Sequence, residues 1–171
     1  MIFLDTETTG LIKATAPLEL QPRIIEIAAI KWPHSLSSHL PQQLHSLVNA
    51  GVPLPEVITK ITKLTDADLA DAPSFASILP SIVEFFRGEH TVVAHNVEFD
   101  MQMLINELRL MDWQFRFPYP STWIDTVALS GGKKLDVWSK ELLGEDYTAQ
   151  SHRAMGDAER LLACWKKHHE Q

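Results

Sequence analysis

Apolar residues along the chain fall into short unbroken runs and into longer stretches with helical spacing. Ile2-Phe3-Leu4 is a short run that reads as a strand, and Arg23 to Trp32 (RIIEIAAIKW), rich in isoleucine, reads as a second. Residues 38–48 give a weaker third strand, after which Pro53 and Pro55 break regular structure. Ser74 to Arg87 reads as a helix, with Ser74 placed as N-cap after Pro73 and Gly88 as its stop. Thr91 to Ala94 is another short buried strand. From there Val97, Met101, Leu104, Ile105, Leu108 and Met111 recur at helical spacing, with Asn96 placed to cap them. Ala154, Ala158, Leu161, Leu162 and Trp165 repeat that spacing in a last helix. Strands first, then strands interleaved with helices, predict an α/β domain built on a mixed sheet.

Composition narrows this. The chain has 171 residues, 45% hydrophobic and 22% charged, which suits one domain over residues 1–171 with a real core. Repeats and low-complexity tracts are absent. The apolar runs are too short for a transmembrane helix, so no membrane partner is expected. Met1 to Asp5 lacks the basic region and cleavage site of a signal peptide, and a single cysteine, Cys164, fits a reducing compartment; a cytoplasmic location is expected. The formal net charge of −7 works against non-specific binding to phosphate backbones. Two bound divalent cations would offset part of it, and an enzyme gripping only a strand end needs few phosphate contacts.

The acidic residues carry the chemistry. Asp5 and Glu7 lie two apart on a strand, so both point to one face, where the strand leaves the core. Side by side they repel and raise each other's pKa; a divalent cation such as Mg2+ or Mn2+ resolves the conflict. Taken alone, the pair reads first as a solvated strand end, with both acids facing water. Asp100 is in the first turn of the helix after Asn96, four before Leu104, and Asp157 is four before Leu161 in the last helix. Acids there complement the helix dipole, yet both also point toward the packed side, where an unpaired charge is costly. His152, five before Asp157, reads alone as a surface histidine; beside a metal-bound water it becomes a candidate general base, since imidazoles as a class titrate near working pH.

Other features read as structure. Ser130-Gly131-Gly132-Lys133 lacks the upstream glycine and following hydroxyl of a phosphate loop and reads as a turn before a helix. Trp113, Trp123 and Trp138 read as aromatic core ahead of base-stacking, Lys133, Lys134 and Lys140 as a solvated face, and Cys164 as an inert thiol. Arg153 is placed either to contact phosphate or to pair with an acid.

Together these segments resemble the DnaQ-like exonucleases of the DEDDh group. Asp5-Thr6-Glu7-Thr8-Thr9-Gly10, His95-Asn96-Val97-Glu98-Phe99-Asp100 and His152-Arg153-Ala154-Met155-Gly156-Asp157-Ala158 look like that family's three motifs, in order. Leu64-Thr65-Asp66, Ile124-Asp125-Thr126 and Leu135-Asp136 also match its pattern, although Lys63 stands where the family often has glycine. The resemblance covers about residues 2 to 162. It implies a ribonuclease H-like fold, a five-stranded mixed sheet flanked by helices, with two divalent ions (Mg2+ or Mn2+) and 3′–5′ hydrolysis. It maps Asp5, Glu7, Asp100 and Asp157 to the metal-binding acids and His152 to the general base, with Asp5 the candidate to bridge both ions. The chain ends soon after its last helix, so no tail of the kind that ties a bacterial proofreading subunit to its polymerase is expected.

The expected substrate is a nucleic acid with a free 3′ end, single-stranded DNA first, and the expected product a nucleoside 5′-monophosphate. Thr8, Thr9 and Gly10 are expected to approach the terminal nucleotide, with Leu11 and Leu64 against its base and His95 and Asn96 nearby; core packing is an even alternative for the two leucines. The segment Ala149 to Ser151 is expected to move when substrate binds. Rival readings are an exonuclease acting on RNA and a non-catalytic module that binds nucleic acid or a polymerase.

Overall fold

The computed structural model describes residues 1–32, 41–113, 116–144 and 152–170. Strand β1 (Ile2–Thr8) lies at the centre of a five-stranded sheet; β2 (Ile24–Lys31) and β3 (Gln42–Leu47) follow on one side, β4 (Thr91–Ala94) and β5 (Thr122–Asp125) on the other. The order is β3-β2-β1-β4-β5. The β1/β2 and β2/β3 pairs are antiparallel, and β1/β4 and β4/β5 are parallel, so the sheet is mixed, as expected. The third strand is shorter than read from the sequence, and residues 38–40 of that reading lie outside the described residues.

Seven α-helices occur among the described residues: α1 (Glu56–Thr62), α2 (Asp66–Ala70), α3 (Phe75–Phe86), α4 (Val97–Leu110), α5 (Thr126–Leu129), α6 (Leu135–Leu143) and α7 (Ala154–His169). The first two were not foreseen: Pro55, read as a breaker, occupies the N-cap of α1, where its missing N–H costs nothing. Thr65 and Asp68 close a capping box on α2. Ser74 caps α3 by accepting from the Ser77 N–H, and Gly88 follows the helix at φ +78°. Asn96 departs from expectation. It occupies the N-cap of α4 in the left-handed region (φ 79°), its side chain makes no capping bond, and its own N–H donates to Asp125 Oδ1 at 3.0 Å.

The period-two rule divides the core. Ile2 and Leu4 point from β1 into the layer of α3 and α4, with Leu79, Ile82, Met101 and Leu104. Phe3 points the other way, against Ala154, Ala158 and Leu161 of α7. Trp138 joins that second layer at 5% exposure, while Trp123 is 41% exposed, so the aromatic-core reading holds for one and not the other. Cys164 is buried, and burial pushes its thiol up to about 11, which keeps it inert.

Candidate active site

The alternation that sorts the core also builds the site. Asp5 and Glu7 share parity with Phe3, so they leave β1 on the α7 side, where Asp157 in the first turn of α7 meets them. One carboxylate oxygen from each of Asp5, Glu7 and Asp157 lies within 4.8 Å of the others. Asp100 stands outside that trio. It sits on α4, across the sheet, and there it meets the residue of opposite parity: Thr6 Oγ1 donates to Asp100 Oδ1 at 2.7 Å. Spacing along helices foretold that Asp100 and Asp157 face inward, but not that they approach the strand end from opposite faces.

The site is strongly acidic. Burial, followed by the charges of Asp100, Asp157, Glu7 and Glu26, holds the Asp5 carboxyl well above the usual range. Burial and Asp157 push Glu7 up to about 7, and burial pushes Asp100 up to about 7 against the opposing Thr6 bond. Asp157 is also raised by burial, opposed by the His152 N–H and by Arg160 and His152. The charges that act most strongly on Asp5 are the carboxylates of Asp100, Asp157, Glu7 and Glu26. Hard oxygen donors crowded together, with their pKa values raised by burial and mutual repulsion, fit a divalent cation, which would neutralise that repulsion.

His152 is exposed and left-handed (φ 59°), and its backbone N–H donates to Asp157 Oδ2 at 2.9 Å. Residues 149–151, expected to move on substrate binding, lie outside the described residues. The contacts of the motif around Gly10 are mostly internal. Thr8 Oγ1 donates to the Gly10 carbonyl at 2.7 Å, and Thr9 Oγ1 accepts from the Arg23 N–H at 2.9 Å. A side chain at Gly10 would meet nothing within 4 Å, so space beside that backbone is open.

The two leucines separate. Leu11 is 80% exposed, whereas Leu64 is 3% exposed and packs with Ile25, Ala50 and Leu69. Leu64 therefore follows the core-packing alternative and offers a base little surface. His95 is likewise occupied: Nδ1 pairs with Thr126 Oγ1 at 3.0 Å and Nε2 with the Lys133 carbonyl at 2.8 Å, and burial lowers its pKa. Its role in the structure is to tie β4 to the turn before α6. Asn96 is exposed and borders a cleft lined also by Ile12, Glu98, Phe99 and Gln102.

Sequence reasoning missed Glu26. It is fully buried on β2, opposite Glu7 in register, and its pKa is lowered against its burial by Arg153, His45 and the Ala154 N–H. One signal was there: a lone acid inside an isoleucine-rich strand needs a partner. Arg153 is that partner, which settles its two readings in favour of the acid.

The RNase_T family model, described as exonuclease, matches residues 2–164. DNA polymerase III subunit epsilon of Rickettsia typhi is 30% identical over 171 residues, covering 96% of this chain and 71% of that protein. The PolC-type DNA polymerase III of Caldanaerobacter subterraneus subsp. tengcongensis is 29% identical over 171 residues, and the chain spans only 11% of it. A DNA polymerase III subunit epsilon-like protein of Rhodobacter capsulatus is 30% identical over 163 residues, and the chain spans 22% of it. Among solved structures, the nuclease domain of 3′hExo, a DEDDh family member, bound to rAMP, superposes with a TM-score of 0.73 at 18% identity, covering 99% of this chain and 90% of that one. Exonuclease X in complex with 5′ overhanging duplex DNA gives 0.65 at 22% identity with the same coverage. At these identities the likeness establishes the fold: a mixed five-stranded sheet with flanking helices, of the ribonuclease H-like kind.

Proposed function

The chain belongs to the exonuclease family, among the DnaQ-like 3′–5′ exonucleases of the ribonuclease H-like superfamily, and on that footing we propose that it is a single catalytic domain over residues 1–171 that hydrolyses nucleotides from the 3′ end of single-stranded DNA. The observation that carries this reading is the convergence of Asp5, Glu7 and Asp157 within 4.8 Å.

Asp5, Glu7 and Asp157, with Asp100 adjoining, would hold two Mg2+ or Mn2+ ions, which when bound supply positive charge at the scissile phosphate and acidify a water. The rest falls to the chain. The imidazole of His152 accepts the proton of the attacking water, for which it must be neutral. Its exposure, beside the acidic trio and not within it, suits a base better than a ligand. Exposed Leu11 offers an apolar surface to the terminal base, and the open backbone at Gly10 lets the sugar approach. Thr8, Thr9 and Asn96 shape the floor of that approach.

The preference for single strands follows from charge. With a net charge of −7 and few cations near the site, binding energy to unpair a duplex end is scarce. The test offers 5′-labelled single-stranded DNA, blunt duplex DNA and RNA of one sequence with Mg2+. Ladders shortening from the 3′ end, fastest on single-stranded DNA, are expected. Faster trimming of RNA would move the substrate to RNA, and no cleavage of any substrate would favour a non-catalytic module.

A further inference from the structure

We propose that Glu26 and Arg153 form a positioning clamp that sets His152 at the edge of the acidic trio. The inference rests on the reading of His152 as general base, and it assigns a function to two residues that make no contact with the reacting atoms.

Glu26 sits directly opposite Glu7 in the β1/β2 register and is fully buried. A further carboxylate so close to the trio would aggravate its repulsion, yet this one is held aside. Arg153 grips it with both arms of the guanidinium, Nε to Oε2 at 2.9 Å and Nη2 to Oε1 at 3.0 Å. The Ala154 N–H donates to Oε2 at 3.2 Å, and His45 Nε2 pairs with Oε1 at 2.7 Å. A planar fork on a planar carboxylate fixes direction as well as distance.

What the fork directs is the residue before it. His152 has φ 59°, a region that a side chain with a Cβ enters only at a cost. Such a conformation persists where its surroundings over-determine it. On its N-terminal side the His152 N–H is fixed to Asp157 Oδ2; on its C-terminal side Arg153 and Ala154 are fixed to Glu26. Asp157 belongs to the trio and Glu26 to the neighbouring strand, so His152 is suspended between the site and the sheet. The helix does not depend on the clamp for its seat, since Ala154, Ala158 and Leu161 already pack against Phe3 and Val93. A buried ion pair is a poor adhesive compared with apolar packing; what it contributes is orientation.

The test is a double-mutant cycle on the full chain. Arg153→Ala and Arg153→Lys are made alone and with His152→Ala. A neutral pair, Glu26→Gln with Arg153→Gln, avoids leaving a buried charge alone. Turnover, KM, Mg2+ affinity by calorimetry and melting temperature are read for each. Arg153→Ala should lower kcat by about 10–100-fold, with KM and Mg2+ affinity within about twofold. The lysine variant should recover little, because an ammonium cannot make the fork. Added methylguanidinium should restore part of the alanine variant's kcat. In the His152→Ala background the same change should cost less than about twofold, because its target is gone. An equal loss with and without His152, or full turnover in the folded neutral pair, would overturn the clamp while leaving the general base intact. Near-normal turnover in His152→Ala alone would defeat the general base and the clamp together.

Discussion

Asp5 and Asp100 show how much one residue's parity decides. Asp5 leaves β1 on the α7 side and joins Glu7 and Asp157, whereas Asp100 arrives from α4 and meets Thr6. The consequence is a group of carboxyls that are costly in the metal-free protein. Asp5→Ala should therefore abolish cleavage while leaving the fold intact, and it should raise, not lower, the metal-free melting temperature. A clear drop on thermal melting would make Asp5 a structural residue. His152→Ala should lower kcat by about 10²–10⁴-fold if, as proposed, its imidazole accepts the proton of the attacking water. Calorimetric Mg2+ affinity should stay unchanged; a variant with normal turnover and weak metal binding would make His152 a ligand.

At the scale of elements, the long periodic stretches were legible in the sequence and the short ones were not. β2, α3 and α4 lie within two residues of where apolar spacing put them, and α7 starts at the expected Ala154 and runs four residues past Trp165, because each buries a continuous face of the core. α1, α2 and α5 have at most seven residues, too few to show a period. The site's motifs were legible for the same reason: they sit at the ends of β1, β4 and α7, next to strong patterns. Glu26 was not, because its partner is 127 residues away. Leu64 and His95 looked like ligand contacts, but in three dimensions Leu64 is buried in the core and both ring nitrogens of His95 are taken by Thr126 and the Lys133 carbonyl. Lys63 is instructive in the same way. It closes α1 at φ 64°, where the family often has glycine, and its Nζ donates to the Lys60 carbonyl at 2.7 Å. Lys63→Gly relieves the left-handed strain and should stabilise by about 1 kcal/mol, raising the melting temperature by about 2–4 °C. A lower melting temperature would mean that the lysine's own bond outweighs the strain.

At the scale of the whole molecule, the acidic site sets how stability responds to pH. Glu7 and Asp100 titrate at about 7, and Asp5 and Asp157 are also raised. Such groups bind more protons folded than unfolded, so their contribution is present at low pH and is lost as pH rises through the folded values. The metal-free melting temperature should therefore fall between about pH 5 and about pH 8, and saturating Mg2+ should remove the decline. Glu26, Asp68 and Glu89, whose pKa values are lowered, act in the opposite sense only below about pH 4.5. A metal-free melting temperature that rises across the upper window would show that the cluster does not hold those protons. Among the described residues no helix is long and apolar enough to cross a membrane.

The central claim is that the acids at the end of β1 carry a metal-dependent cleavage at 3′ ends. Its most direct measurement is the rate at which 5′-labelled single-stranded DNA is shortened, with Mg2+ and with excess chelator, by the native chain and by Asp5→Ala. A ladder receding from the 3′ end is expected with Mg2+, none with chelator, and none from a folded Asp5→Ala. Full activity in chelator, or in that variant, would contradict it.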